Sequence, residues 1–222
     1  GTPQVGRVFE LGYRGPWASE TDVNPNPFLD RRLEVVLSGP SGQSLVVPGF
    51  FDADGAGGES GVIWKVRFRA PKPGTWVARA RFREGPLVAI SLDPMAGQPG
   101  MLDGVKTTFD IAPLNEADPG FLGKGRLRYT RAHHPVHQTG ERYVKIGTNS
   151  PENLLAYRGF DGVGKFTGST GALHSYASHA GDWKPGDPLF ASSDHDVDSR
   201  GLIGALNYLS SQGVNSIHTM VM

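Results

Sequence analysis

Alternation with a period of two is the feature that most constrains this chain. Val62, Trp64, Val66 and Phe68 alternate with Lys65, Arg67 and Arg69, and Trp76, Ala78, Ala80 and Phe82 alternate with Arg79, Arg81 and Arg83. Successive side chains of a strand point to opposite faces, so these segments bury one apolar face and expose the other, which is the pattern of antiparallel strands. Leu33, Val35 and Leu37 repeat it, and weaker runs cover residues 7–13, 44–51 and 106–111. Turn chemistry separates the runs at Asp52-Ala53-Asp54-Gly55 and Pro71-Lys72-Pro73-Gly74. Six or seven short strands at this spacing predict a β-sandwich over residues 1–113, about a hundred residues, as such folds need.

Composition narrows the function classes. Lys+Arg and Asp+Glu number 22 each among 222 residues, so no global field draws the chain to nucleic acid or to an acidic membrane. Cysteine is absent, which excludes disulfides and thiolate metal sites. No run approaches the roughly 18 apolar residues of a membrane-spanning helix. The 31 glycines and 17 prolines fit a loop-rich β protein.

Beyond Pro113 the character changes. Residues 114–142 read as a polar connector followed by a hairpin, with a short strand at 126–130 and a turn at 138–141. A strand is then predicted at 143–147, a helix after Asp198 or Ser199, and a further strand over 214–222. Leu202, Ile203, Leu206 and Leu209 supply the apolar stripe of the helix, and Gly213 stands where a left-handed terminating residue belongs. Strand, long excursion, helix and strand make a βαβ unit with two parallel strands. Two such strands leave a sheet largely uncovered, which predicts an incomplete polypeptide carrying only the opening of a larger α/β domain.

Functional groups of parallel α/β folds gather at the carboxyl ends of strands. The tip after residue 147 carries Asn149, Ser150, Pro151, Glu152 and Asn153. In a saccharide cleft Asn149, Glu152 and Asn153 accept and donate hydrogen bonds to sugar hydroxyls, whereas structurally Ser150 and Pro151 simply start a short helix. Roughly forty-five residues separate this tip from the helix, far more than the roughly 2 to 6 usual for such a loop. Within that excursion His174, Tyr176, His179, Asp182 and Trp183 gather among rigid Pro-Gly turns. Tyr176 and Trp183 suit stacking on sugar rings, and equally Trp183 suits anchoring the loop.

Other clusters read as scaffold. His133, His134 and His137 have a His-x-x-His spacing but no accompanying carboxylate or Cys, so a surface hairpin is expected. Asp52, Asp54 and Glu59 miss the spacing of a calcium loop and read as a hairpin turn. No Gly-x-Ser-x-Gly elbow exists, and Ser150 precedes a proline, against a serine hydrolase. If the strands at 62–69 and 75–83 pair through the Pro71-Lys72-Pro73-Gly74 turn, Lys65, Arg67, Arg69, Arg79, Arg81 and Arg83 share one face. Like charges opposite one another destabilise a sheet, so Glu10, Glu34 or Asp110, or an anionic partner, must neutralise them.

Several motifs together carry a resemblance. Phe9-Glu10, Asn26-Pro27-Phe28, Pro48-Gly49-Phe50-Phe51-Asp52, Gly74-Thr75-Trp76, Ser150-Pro151-Glu152-Asn153-Leu154-Leu155-Ala156-Tyr157, Asp182-Trp183-Lys184-Pro185-Gly186-Asp187-Pro188 and Gly204-Ala205-Leu206-Asn207-Tyr208-Leu209 are the matching stretches. The chain resembles bacterial proteins in which an N-terminal immunoglobulin-like domain of unassigned function precedes a glycoside-hydrolase-like (β/α)8 barrel. The resemblance implies that 1–113 is the sandwich, 114–142 the connector with a hairpin closing the barrel bottom, and 143–222 the start of the barrel. It implies a secreted, periplasmic or extracellular carbohydrate-active protein whose partners are a polysaccharide or oligosaccharide and the remainder of its own barrel, with no nucleic acid and no membrane. No organic cofactor or metal is implied. Barrels of this group carry their acid/base and nucleophile carboxylates after later strands, so no catalytic residue transfers onto this sequence, and this chain alone is expected to be inert. The other class consistent with these features is a non-catalytic carbohydrate-binding or interaction module with a degenerate barrel.

Overall fold

The structure, a computed structural model, describes residues 3–147, 154–160, 173–190, 192 and 195–219. It divides into two compact units, Gly1–Tyr143 and Val144–Met222.

The first unit is mainly β. Strands β1 (Phe9–Ser19), β2 (Arg31–Ser38), β3 (Ser44–Phe51), β4 (Ser60–Phe68), β5 (Gly74–Glu84), β6 (Gln98–Pro99) and β7 (Lys106–Ile111) join in one curled antiparallel sheet of order β1-β4-β3-β2-β5-β6, with β7 also on β5. The alternating residues behave as expected. Leu33, Val35 and Leu37 of β2, Trp64 and Val66 of β4, and Trp76, Ala78, Ala80 and Phe82 of β5 face inward and are buried. Trp64 meets Phe82 edge to face at 5.0 Å, and Phe68 meets Trp76 at 6.0 Å.

The corner of the sheet lies within β3. Leu45 to Pro48 pair with β2, whereas Gly49 to Phe51 pair with β4. Pro48 has no N–H with which to continue a ladder. At Gly49 an added Cβ would lie 2.6 Å from Leu33 Cγ, so only glycine lets the strand fold over that side chain. One strand thus serves two limbs of the sheet.

This topology corrects the expected pairing of the strands around Pro71-Lys72-Pro73-Gly74. β4 pairs with β1 and β3, while β5 pairs with β2, β6 and β7. The connection crosses from one limb to the other, which places Phe68 and Trp76 in contact across the core instead of side by side in one ladder. The six cations are therefore not on one face. Lys65 and Arg67 meet Glu10 at 3.2 and 2.7 Å, Lys65 also meets Asp52 at 2.6 Å, and Arg81 meets Glu34 at 3.2 Å. Arg69 donates to the Gly6 carbonyl, and Asp110 accepts from Thr75 instead of from a cation.

After the sheet come a short helix α1 (Phe121–Lys124) and a small hairpin of β8 (Leu127–Arg128) and β9 (Val136–His137). His133 and His134 are exposed, but His137 is buried, its ring 5.3 Å from Phe121 and 5.7 Å from Tyr143. The hairpin expected at the surface thus uses one of its histidines as core. Asp54 accepts the N–H groups of Ala56 and Gly58, as a turn residue does.

The second unit holds α2 (Arg200–Ser211). Asp198 accepts the Arg200 N–H at 2.9 Å, and at the far end Gly213 has φ of 84° while Val214 N–H closes back on the Leu209 carbonyl, the expected left-handed stop. The buried face is Gly201, Leu202, Gly204 and Ala205, rotated from the expected stripe, in which Ile203, Leu206 and Leu209 are only half-buried. No strand forms over residues 143–147 or 214–219. Asn215 supplies the reason: its side-chain amide accepts from Ile146 N–H at 2.8 Å and donates to the Val144 carbonyl at 2.9 Å, doing with a side chain what a ladder does with backbone. Its own N–H and that of Ser216 both reach the Ile146 carbonyl. Gly147 fits there because a Cβ would run into the carbonyl oxygen of Ser216. Among the described residues no helix is long and apolar enough to cross a membrane.

Candidate functional site

The candidate site is built on the loop at 173–190 and the helix beneath it. It begins with a bridge: Tyr157 pairs with His174, Arg158 N–H donates to the His174 carbonyl at 2.9 Å, and His174 N–H donates to Ala156 at 2.8 Å. Tyr157 is fully buried, its hydroxyl donating to the Asp198 carbonyl. Phe160 and Phe190 pack on its ring at 5.6 and 6.1 Å, and Val197 and Leu202 complete the cluster. Tyr176 stacks on Tyr157 at 6.0 Å and on His174 at 5.0 Å, and its hydroxyl donates to the Leu154 carbonyl at 3.0 Å. Burial pushes both tyrosine hydroxyls above their ordinary pKa, so they stay protonated and act as donors. Tyr176 is held at φ of 48°, unusual for an aromatic residue, and opens the 3₁₀ turn Ala177–Asp182.

That turn lies on the glycine face of α2. A Cβ at Gly204 would run into the His179 carbonyl, so the helix approaches the loop backbone as only glycine permits. Asn207 then ties the loop down, donating through one amide nitrogen to the Asp182 carbonyl at 2.9 Å and to Asp187 Oδ2 at 2.7 Å. Asp187 also accepts the Lys184 N–H at 2.8 Å; Asn207 first and this backbone bond second hold its carboxyl below the usual range. His179 Nδ1 lies 3.0 Å from Asp182 Oδ2, with its ring 4.9 Å from Tyr208. Trp183 is half-buried, its indole N–H donating to the Pro188 carbonyl at 3.3 Å.

The structure therefore brings His174 and Tyr176 together in one stack, and Asp182 and Trp183 together in the adjoining turn. Asn149, Glu152 and Asn153 lie outside the described residues. Tyr157, Asn207 and Tyr208 also build this surface, although nothing in their spacing marked them as site residues. Their only signal was membership of the matching stretches around 157 and 204–209. Among the described residues no group of three or more His, Asp or Glu side chains can hold a metal ion.

In the first unit, the stretches Asn26-Pro27-Phe28 and Pro48-Gly49-Phe50-Phe51 meet around a groove of about 310 Å³, which also touches Arg31 and Glu34. Arg67 lies over the Phe50 ring at 4.9 Å. Two motifs far apart in sequence thus share one place in the fold.

No curated protein and no solved structure matches the chain. Residues 7–83, from just before β1 to the last but one residue of β5, match the family described as a domain of unknown function (DUF5060).

Proposed function

We propose that this chain is part of a bacterial carbohydrate-active enzyme, a glycoside hydrolase acting on a plant or microbial polysaccharide or oligosaccharide outside the cytoplasm. In this reading residues 1–113 form an immunoglobulin-like sandwich, 114–142 the connector and barrel-bottom hairpin, and 143–222 the opening of a (β/α)8 barrel. The two limbs of the curled sheet, filled with side chains from both, support the sandwich. The bonds of Asn215 and Ser216 to Val144 and Ile146, on either side of α2, support neighbouring first and second barrel segments.

The observation that carries the reading is the 173–190 surface, where an anchored indole follows Asp182 at one end of the turn that the His174–Tyr176 stack opens at the other. A fixed aromatic ring next to polar side chains is what a sugar requires, an apolar face for its C–H surface and partners for its hydroxyls. Asn149, Glu152, Asn153, His174, Tyr176, Asp182 and Trp183 are assigned to substrate binding. Hydrolysis needs two carboxyl groups flanking the scissile bond, and these are assigned to later barrel strands.

A second reading is a non-catalytic carbohydrate-binding module with a degenerate barrel. One observation favours it: the carboxylates of Asp182 and Asp187 are both engaged in holding the loop. A glycan-array screen of the chain, followed by titration of the best neutral ligand, tests both. Trp183→Ala is expected to weaken binding about threefold to tenfold, the worth of one stacked ring. An unchanged affinity removes Trp183 from the site. Glycosidic hydrolysis by this chain alone would overturn the assignment of the carboxylates to later strands.

A further inference from the structure

We propose that the outer face of β5 is a binding site for an oligosaccharide bearing carboxylates, seated on Arg79, Arg81 and Arg83. The anion site stands on its own geometry; that its ligand is a saccharide rests on the carbohydrate reading above.

Because Trp76, Ala78, Ala80 and Phe82 turn inward, the three arginines between and after them turn outward in a row. Successive outward residues of a strand stand roughly 7 Å apart. They line a groove of about 410 Å³ with Val36, Met95 and Asp103. The neighbouring strands add positive charge. Arg79 stands opposite Lys106 of β7, and Arg83 opposite Arg32 of β2. Arg32 donates through its two Nη groups to the carbonyls of Val88, Ser91 and Asp93, its Nε having no hydrogen-bond partner among the described residues, and these neutral acceptors leave its charge in place.

Glu34 pairs with Arg81 at 3.2 Å, Asp103 accepts the Phe82 N–H at 2.9 Å, and the Asp93 carboxylate accepts the Met95 N–H at 2.8 Å. Among the described residues none of the three makes an ion pair with Arg79 or Arg83.

Arg83 is the decisive residue. It is only 7% exposed, its Nε has no hydrogen-bond partner among the described residues, and one Nη rests on the Met95 sulfur, a weak acceptor, at 3.4 Å. A guanidinium stays protonated at any working pH, and a buried charge without a counterion is costly. An anion in the groove offsets that cost by its charge and through the Nη groups, since Nε itself is closed to solvent, and the planar fork of arginine fits a carboxylate through two parallel N–H bonds. Arg79, at the outer end, is exposed and has no ion pair or hydrogen bond among the described residues, so it is free to take a second carboxylate. A row of cations beside the apolar side chains of Val36 and Met95 suits an extended, repeating acid better than a single small anion. Gly104 leaves the rim open, since a Cβ there meets nothing within 4 Å.

The test is calorimetric titration of the chain with oligogalacturonate, its fully methyl-esterified form, a neutral cello-oligosaccharide and inorganic phosphate. Oligogalacturonate is expected to bind, more weakly as salt rises, and to lose about tenfold in affinity in Arg79→Gln. Arg83→Lys keeps the charge but not the fork and is expected to weaken binding as well. If Arg83→Lys fails to fold, Arg79→Gln at the exposed end and Arg81→Gln, half-buried, decide the matter. Oligogalacturonate that does not bind, binds no better than its ester or phosphate, or binds Arg79→Gln and Arg81→Gln as well as the unaltered chain overturns the proposal. Loss of a neutral ligand in Trp183→Ala with no oligogalacturonate binding would overturn the β5 site alone. Oligogalacturonate binding lost in Arg79→Gln, with neutral binding indifferent to Trp183→Ala, would uphold β5 and overturn the Trp183 surface.

Discussion

At the scale of single residues, Glu10, Lys65 and Asp52 illustrate how this protein manages charge. Burial pushes the Glu10 carboxyl up, but bonds and charges from Arg67 and Lys65 together outweigh it and hold the pKa below 4.5. Lys65 is held above 10.5, first by Asp52 and then by Glu10, against burial. The carboxylate, depressed in the folded state, stabilises above its unfolded pKa, and that stability is lost as pH falls through the folded value. The ammonium, raised in the folded state, stabilises below its unfolded pKa, and that stability is lost as pH rises through the folded value. Thermal melts across pH are thus expected to show a plateau around neutrality, with a fall in acid as Glu10 protonates and a fall in strong base as Lys65 loses its proton. Glu10 is 38% exposed, so Glu10→Gln should cost less than about 1 kcal/mol on the plateau and nothing in acid, and the difference should shrink in high salt. Equal melting curves for both proteins at all pH values would remove the cluster from the stability of the fold. Glu10 and Glu34 were legible as the neutralising acids because alternation places them on outward faces. Arg83 was not legible as buried, because what covers it comes from the segment after β5 and leaves no mark on the period of two.

At the scale of elements, α2 shows where patterning succeeds and where it stops. Its ends were readable from Asp198 and Gly213, residues whose chemistry acts locally. Its buried face was not, since the stripe Leu202, Ile203, Leu206 and Leu209 assumes a partner made of side chains. The partner is loop backbone, and Gly201 and Gly204 admit it. Gly204→Ala therefore sets two effects against each other. Helix propensity favours alanine by about 1 kcal/mol, and overpacking against the His179 carbonyl costs about 1 to 3 kcal/mol. The clash is with backbone that Asn207 holds in place, so net destabilisation is expected. Hydrogen exchange should report it as faster labelling of residues 173–190, and slower labelling would refute it. The segments at 143–147 and 214–219 were rich in β-formers, yet Asn215 satisfies the backbone groups by another route that no propensity encodes.

At the scale of the whole molecule, the mainly β architecture and nearly every strand of the first unit were readable, because alternation and turn residues are local signals. Which strand neighbours which was not. The five residues between β4 and β5 look like a hairpin turn, and the chain uses them to change limbs instead. β3 has a mechanical consequence: since Leu45 to Pro48 and Gly49 to Phe51 are consecutive links of one strand, neither limb can be peeled away without tearing the other's seam. Pulled by optical tweezers from residues 9 and 111, the unit should give way in a single rip that releases on the order of 350 Å of contour. Two separate rips would mean that the halves yield independently. A polymer anchored along β5 would then bear on the whole sheet at once, so that tension on the bound chain is shared by every strand instead of unzipping the nearest.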